Sequence, residues 1–214
     1  MEEYFALYQK YSAYTMIAPD SYVRNLLIVE LFQEIEGAVV ECGTWRGGMI
    51  AGIAELLQGE RAYYLFDSFE GLPSAQKIDG DAAVAWQNNK DSPIYYDNCT
   101  ADEASARAVM KLSGAKNYFI VKGWFNQTLS TFDKNQKIAI LRLDGDWYDS
   151  TIECLKHLYS QVVDGGIIII DDYYTWDGCT RAVHHFFSEC KISDRIRQFD
   201  NDVCFIVKGW SNRT

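Results

Sequence analysis

Two apolar runs in this chain end in acids. LRLDGDWYDST, residues 141 to 151, opens as a strand and then places Asp144, Asp146 and Asp149 within six residues. IIIIDDYY, residues 167 to 174, repeats the pattern with Asp171 and Asp172. Asp144 lies 27 and 28 residues before that pair, the length of one helical crossover, so neighbouring parallel strands would carry all three to one sheet edge. Three carboxylates there repel one another unless a cation sits between them. An all-oxygen ligand set suits Mg²⁺, Mn²⁺ or Ca²⁺ rather than zinc. A lone acid pair after a strand can be a helix cap. Acids on two adjacent strand ends favour the cation.

Three other stretches could do chemistry. In VVECGTWRGG, residues 39 to 48, Gly43, Gly47 and Gly48 let a strand turn sharply into a helix. A dinucleotide fingerprint would need glycine at position 45, where Trp45 stands, so a pyrophosphate fits poorly. Glu41 would repel a phosphate and suits an ammonium group. In LFDSFEGLP, residues 65 to 73, Asp67 closes a strand and is placed to accept two ribose hydroxyls. In VKGWFNQTL, residues 121 to 129, Trp124 and Phe125 follow Gly123 and could wall an adenine ring. His157, His184 and His185 have no metal-ligand spacing; His157 follows a helix stripe, and His184 or His185 could face the site. No nucleophile elbow or Cys/His pairing points to a covalent intermediate. Lys77, Asp79 and Lys90 read as parts of a solvated lid.

The elements that must position these residues follow from periodicity. Helical patterns cover 4–16 and 20–35, the second with Leu27, Leu31 and Ile35 on one stripe and Asp20 or Ser21 as cap. Strands are expected at 38–42, 63–66, 117–121, 137–143 and in GGIIIID, with helices at 49–58, 101–112, 149–161 and 178–190. Residues 70–100 form a long polar, irregular region. The end reads as two strands about Asp200-Asn201-Asp202. Alternating strands and helices, with continuous apolar middle strands, imply a parallel sheet covered on both faces. The closing hairpin adds one antiparallel strand. Ligands of such sheets bind beyond the carboxyl ends of the strands, where these acids stand.

Bulk properties exclude several classes. The 214 residues are 48 % hydrophobic and 23 % charged, enough for a packed core. A net charge of -10 with no Lys/Arg cluster argues against nucleic acid and anionic membrane surfaces. Six cysteines, none in a CxxC pair, read as small buried side chains in a reducing compartment. The acidic, aromatic start is unlike a signal peptide, and no apolar run reaches the ~20 residues of a membrane helix. The expected address is the cytoplasm.

Taken in order, VVECGTWRGG, LFDSFEGLP, KGWFNQTL, LRLDGDWYDST and GGIIIIDDYY resemble the macrocin O-methyltransferase family, which includes mycinamicin and novobiocin sugar O-methyltransferases. The resemblance implies an α/β fold of the Rossmann-like class I methyltransferase type: a mostly parallel seven-stranded sheet with one antiparallel strand and helices on both faces. It implies one domain over 1–214, with 1–36 as a helical lid or oligomerisation segment and 74–100 as a variable lid. It implies S-adenosylmethionine as methyl donor and Mg²⁺, Mn²⁺ or Ca²⁺ as metal. Glu41, Gly43, Thr44, Trp45, Arg46 and Gly47 would hold the methionine end. Asp67 and Ser68 would hold the ribose, and Gly123, Trp124 and Phe125 the adenine. Asp144, Asp171 and Asp172 would bind the metal. The general base would be Asp144 or Asp146, with Asp144 favoured.

The acceptor implied is a hydroxyl of a sugar or glycoside. A catechol-like phenol acceptor, a dinucleotide-dependent sugar reductase and a non-catalytic methyltransferase-like module are the alternatives. A homo-oligomer is expected by family, with Tyr4, Phe5, Tyr8, Tyr11 and Tyr14 either at its interface or packed on their own domain.

Overall fold

The computed structural model of the chain describes residues 1–199 and 203–210. Helices α1 (Glu2–Tyr11) and α2 (Pro19–Leu31) precede β1 (Ala38–Cys42). Then come α3 (Gly48–Leu56), β2 (Ala62–Asp67), α4 (Asp81–Asn88), a single turn α5 (Tyr96–Cys99) and α6 (Glu103–Leu112). After β3 (Asn117–Lys122) follow the one-turn α7 (Phe125–Thr128), β4 (Ile138–Leu143), α8 (Tyr148–Leu158), β5 (Val162–Ile170), α9 (Asp177–Glu189), β6 (Ile196–Phe199) and β7 (Val203–Val207). The seven strands form one sheet in the order β3-β2-β1-β4-β5-β7-β6. Neighbours from β3 to β5 are parallel. β7 runs antiparallel to both β5 and β6, so it is the one reversed strand. The turn at 200–202 lies outside the described residues.

Each face of the sheet buries its own apolar layer. Along β5, Ile167 and Ile169 pack with α1, α2, α3 and α6, while Ile168 and Ile170 pack with α8 and α9. This two-residue alternation is that of a strand covered on both sides. The same alternation turns Glu41 and Arg142, paired across β1 and β4, toward the α2 side. Chain order reverses between β1 and β4, and the crevice of such sheets opens there.

Some local expectations change. α2 starts with Pro19 after Ala18 and has no side-chain cap, so neither Asp20 nor Ser21 caps it. Proline is pre-set for the first helical position and needs no N–H there. The buried face of α2 carries Tyr22, Asn25, Leu26 and Val29, whereas Leu31 is exposed. The buried Tyr22 hydroxyl donates to Gly48 O (2.9 Å), and this polar partner fixes the rotation of the helix. The irregular region contains α4 and then α5, where Tyr96, Asp97, Asn98 and Cys99 all have positive φ. That left-handed turn is held by Asn98, which pairs with Leu72 through backbone and side chain and accepts from Gln87. All six cysteines are free, and only Cys190 is exposed. Among the described residues, no helix is long and apolar enough to cross a membrane.

Candidate active site

The carboxyl ends of β1, β2, β3 and β4 open into a cavity of about 680 Å³, within the size range of small-molecule sites. Its wall includes Gly43, Trp45, Asp67, Ser68, Gly123, Trp124, Phe125, Asp144 and Asp146 from the sequence-derived set. Among the described residues, six acids line it (Asp67, Asp79, Asp144, Asp146, Asp149 and Glu153), and no Lys, Arg or His does. A smaller adjoining cavity is lined by Glu41, Thr44, Arg142 and Asp171, with Tyr14 to Ile17 over it. Arg46, Gly47 and Asp172 line neither. The Arg46 guanidinium lies on the Trp45 ring, 4.3 Å from its centroid, and Gly47 turns the chain into α3.

Close strand ends build the floor. A Cβ on Gly43 would sit 1.6 Å from Asp144 O, and φ there is +84°, so only glycine lets β1 and β4 converge. Asp67 then organises the loop after β1. Its Oδ2 accepts from Thr44 N (2.8 Å) and Trp45 N (2.7 Å), and its Oδ1 from Phe69 N (2.7 Å). Burial still raises the carboxyl above its ordinary range against these three donors. Trp45 has φ +48°, so the position a dinucleotide loop gives to glycine needs the same left-handed backbone here.

The acids of β4 and β5 meet as their register requires, with Leu143 beside Ile170. One carboxylate oxygen from each of Asp144, Asp171 and Asp172 falls within a 4.8 Å cluster. Beneath them lies Arg142, 1 % exposed. It donates to Asp144 Oδ2 (2.7 Å), to Glu41 Oε1 (3.2 Å), to Asp171 Oδ1 and, through Nε, to Asn25 Oδ1 (3.4 Å). Burial works against the Arg142 charge, but Asp171, Asp144 and Glu41 outweigh it and keep the guanidinium ionised. Burial pushes Glu41 up to about 7, with Arg142 and Thr44 pulling the other way. Asp144 is raised to about 6 by burial and by Asp171, against Arg142. Asp146 rises to about 8 through burial and Asp144, with the Trp176 hydrogen bond opposing. Asp172 is held well above the carboxylate range by burial and then by Asp146 and Asp144.

Residues 9–208 match the family model for macrocin-O-methyltransferase (TylF). The chain belongs to this family. It is 30 % identical over 176 residues to mycinamicin III 3''-O-methyltransferase of Micromonospora griseorubida, covering 78 % of this chain and 66 % of that protein. It is 30 % identical over 181 residues to demethyldecarbamoylnovobiocin O-methyltransferase of Streptomyces niveus, covering 78 % and 64 %. The chain thus spans about two thirds of the length of the curated relatives it matches. The solved O-methyltransferase NovP superposes with a TM-score of 0.72 at 28 % identity, covering 91 % of this chain and 81 % of that one. With the strand order above, this makes the fold a Rossmann-like class I methyltransferase fold.

Four residues of this family member escaped sequence reasoning. Arg142 sits in the apolar run KIAILRL, and a charge inside a buried strand must be paired, which is the signal that marks it. Asn25, its partner on α2, has no signal of its own. Trp176 donates through Nε1 to Asp146 Oδ1 (3.0 Å) from 30 residues away. Asp79, expected in a solvated lid, is 2 % exposed. Its Oδ1 accepts from Tyr148 N (2.7 Å), the first N–H of α8, and its Oδ2 from Gln76 N (2.6 Å). The polar insert therefore supplies a helix cap to the segment after Asp146. His184 and His185 pair with Tyr173 and Tyr148 on the outer side of α8 and α9 and line neither cavity.

Proposed function

We propose that the chain transfers a methyl group from S-adenosylmethionine to a hydroxyl of an uncharged sugar or glycoside, assisted by a divalent cation. The observation that carries this reading is one cavity joining Asp67 and the aromatic Trp124–Phe125 wall to the Asp144–Asp146 turn, with six acids and no Lys, Arg or His in its lining among the described residues. A cationic sulfonium compound is favoured by that lining, and a pyrophosphate is disfavoured by it. The same charge excess favours a neutral acceptor over a nucleoside diphosphate sugar. The printed names of the relatives, a mycinamicin and a novobiocin O-methyltransferase, agree with a glycoside.

Asp67 would hold the ribose: Oδ1 has one protein donor and keeps acceptor capacity. Trp124 and Phe125 would face the adenine, and Gly43, Thr44 and Glu41 the methionine end. The cofactor supplies the activated methyl group. A cation fits the acid cluster chemically: Asp144, Asp171 and Asp172 each have one oxygen engaged by a protein donor and one without. When bound, it would supply Lewis acidity to the acceptor oxygen.

We assign the general base to Asp146 rather than to Asp144. Both line the cavity, but Asp144 is ion-paired with Arg142 and is assigned to the cation, whereas Asp146 has one oxygen anchored by Trp176 and the other without a protein donor. A carboxylate oxygen that faces the cavity and has no protein donor is placed to accept a proton from a hydroxyl. The orienting bonds to Asp146 hold it in place for that transfer.

The test is calorimetric titration with S-adenosylmethionine, with and without Mg²⁺, and with NAD as control. Micromolar binding of S-adenosylmethionine without NAD binding, followed by methyl transfer in a screen of neutral glycosides, supports the reading. Binding of NAD in its place would refute it. Asp146→Asn should abolish turnover of the acceptor so found, with cofactor affinity kept.

A further inference from the structure

We propose that Arg142 is a positioning residue for the cation. It engages one oxygen of Asp144 and one of Asp171 from beneath and leaves the other oxygen of each without a protein donor. This inference rests on the cation reading above and goes beyond it, because it assigns the geometry of the site to a residue that is not a ligand.

The placement follows from the sheet. Arg142 stands opposite Glu41 across β1 and β4, on the face that α2 covers, and Asn25 of that helix reaches its Nε. The side chain is 1 % exposed, whereas those of Asp144 and Asp171 are 27 % and 25 % exposed. The guanidinium thus forms the inner layer and the two carboxylates the outer one. Asp144 and Asp171 carry like charge on adjacent strand ends, and without an intervening donor they would turn apart. A planar fork with five N–H donors can serve Asp144, Asp171, Glu41 and Asn25 at once; a lysine ammonium in the same space cannot. Partners of this kind, which orient metal ligands from behind, alter affinity by about 10- to 100-fold when removed.

The test is a Mn²⁺ titration of the full chain, read by the electron paramagnetic resonance of free Mn²⁺. Folding is checked by circular dichroism and by titration with S-adenosylhomocysteine. Wild type should take up one Mn²⁺, and Asp172→Asn, which loses a ligand but keeps the Arg142 pairs, should bind it far more weakly. Arg142→Lys should weaken Mn²⁺ by about 10- to 100-fold while remaining folded. If wild type takes up no Mn²⁺, the cation reading itself fails, and this inference with it. If wild type binds and Arg142→Lys binds equally well, the role of Arg142 is overturned while the cation site stands. Should Arg142→Lys not fold, Asn25→Ala decides, since it keeps every ion pair and removes the acceptor at Nε together with the Asn25 Nδ2 donation to Ser21 O within α2. It should weaken Mn²⁺ about threefold or more, and an unchanged affinity overturns the inference.

Discussion

Replacing Asp67 by asparagine separates the two jobs this residue is assigned. In the native loop its two oxygens serve three backbone donors, on Thr44, Trp45 and Phe69. An asparagine can turn its single oxygen to the Thr44–Trp45 pair, which places its NH₂ against the Phe69 N–H. Phe69 is 5 % exposed, so that donor would lose its partner away from water. An unsatisfied buried donor costs about 1–3 kcal/mol. Losing the buried charge offsets part of this, because burial already raises the Asp67 carboxyl and disfavours its ionised form. With the folded value above the unfolded one, the contribution of Asp67 to stability is largest at low pH and declines as pH rises from the unfolded value through the folded one. The Asp67→Asn variant would lack this dependence. For a chain of this size each kcal/mol moves Tm by about 2–4 °C, so a fall of roughly 2–10 °C is expected near neutral pH by scanning calorimetry. A hydrogen bond to a charged group is worth about 1.5–3 kcal/mol, so S-adenosylhomocysteine should bind at least about tenfold more weakly. An unchanged Tm would mean that the three donors do not depend on Asp67. A lowered Tm with unchanged affinity would leave Asp67 as a loop anchor only and sink its role toward ribose.

Four further outcomes can be checked directly. Gly43→Ala places a methyl 1.6 Å from Asp144 O at a left-handed φ, and should cost more than about 4 kcal/mol, seen as loss of the folded circular dichroism spectrum on mild heating. Asp79→Ala should cost about 0.5–2 kcal/mol through the lost cap on α8. Gly178→Ala would push on the same carboxylate, whose Oδ1 lies 2.3 Å from the added Cβ; urea unfolding should therefore show the double variant losing less than the sum of the singles. Among the six thiols only Cys190 is exposed and Cys99 is half-buried, so a thiol reagent should label Cys190 quickly in the native state, Cys99 more slowly and the other four only on unfolding.

The strands and most helices were legible because their residues report burial directly. AVVEC, KIAILRL and GGIIIID are apolar almost throughout, as strands covered on both faces must be. The 27-residue interval between Asp144 and Asp171 predicted adjacent strand ends, and β4 and β5 do pair in parallel. The rotation of α2 was not legible, since the face it buries includes the polar groups of Tyr22 and Asn25, whose partners Gly48 and Arg142 lie on other elements. Residues 70–100 were illegible for a related reason. Their α4 helix is short, and their left-handed turn rests on Asn98 and Gln87, whose partners are set by the folded loop.

The sequence by itself determined the order of strands and helices, the reversed strand near the end and the edge at which the acids gather, because periodicity and crossover length are local properties. Tertiary structure alone decided which acids share a donor. Glu41, Asp144 and Asp171 come from three different strands or strand ends and meet only at Arg142, 1 % exposed beneath them. Asp79 and Trp176 likewise reach the Asp144–Trp147 segment and the start of α8 from 69 and 30 residues away. Such partnerships depend on how closed elements pack, and no spacing along the chain encodes them.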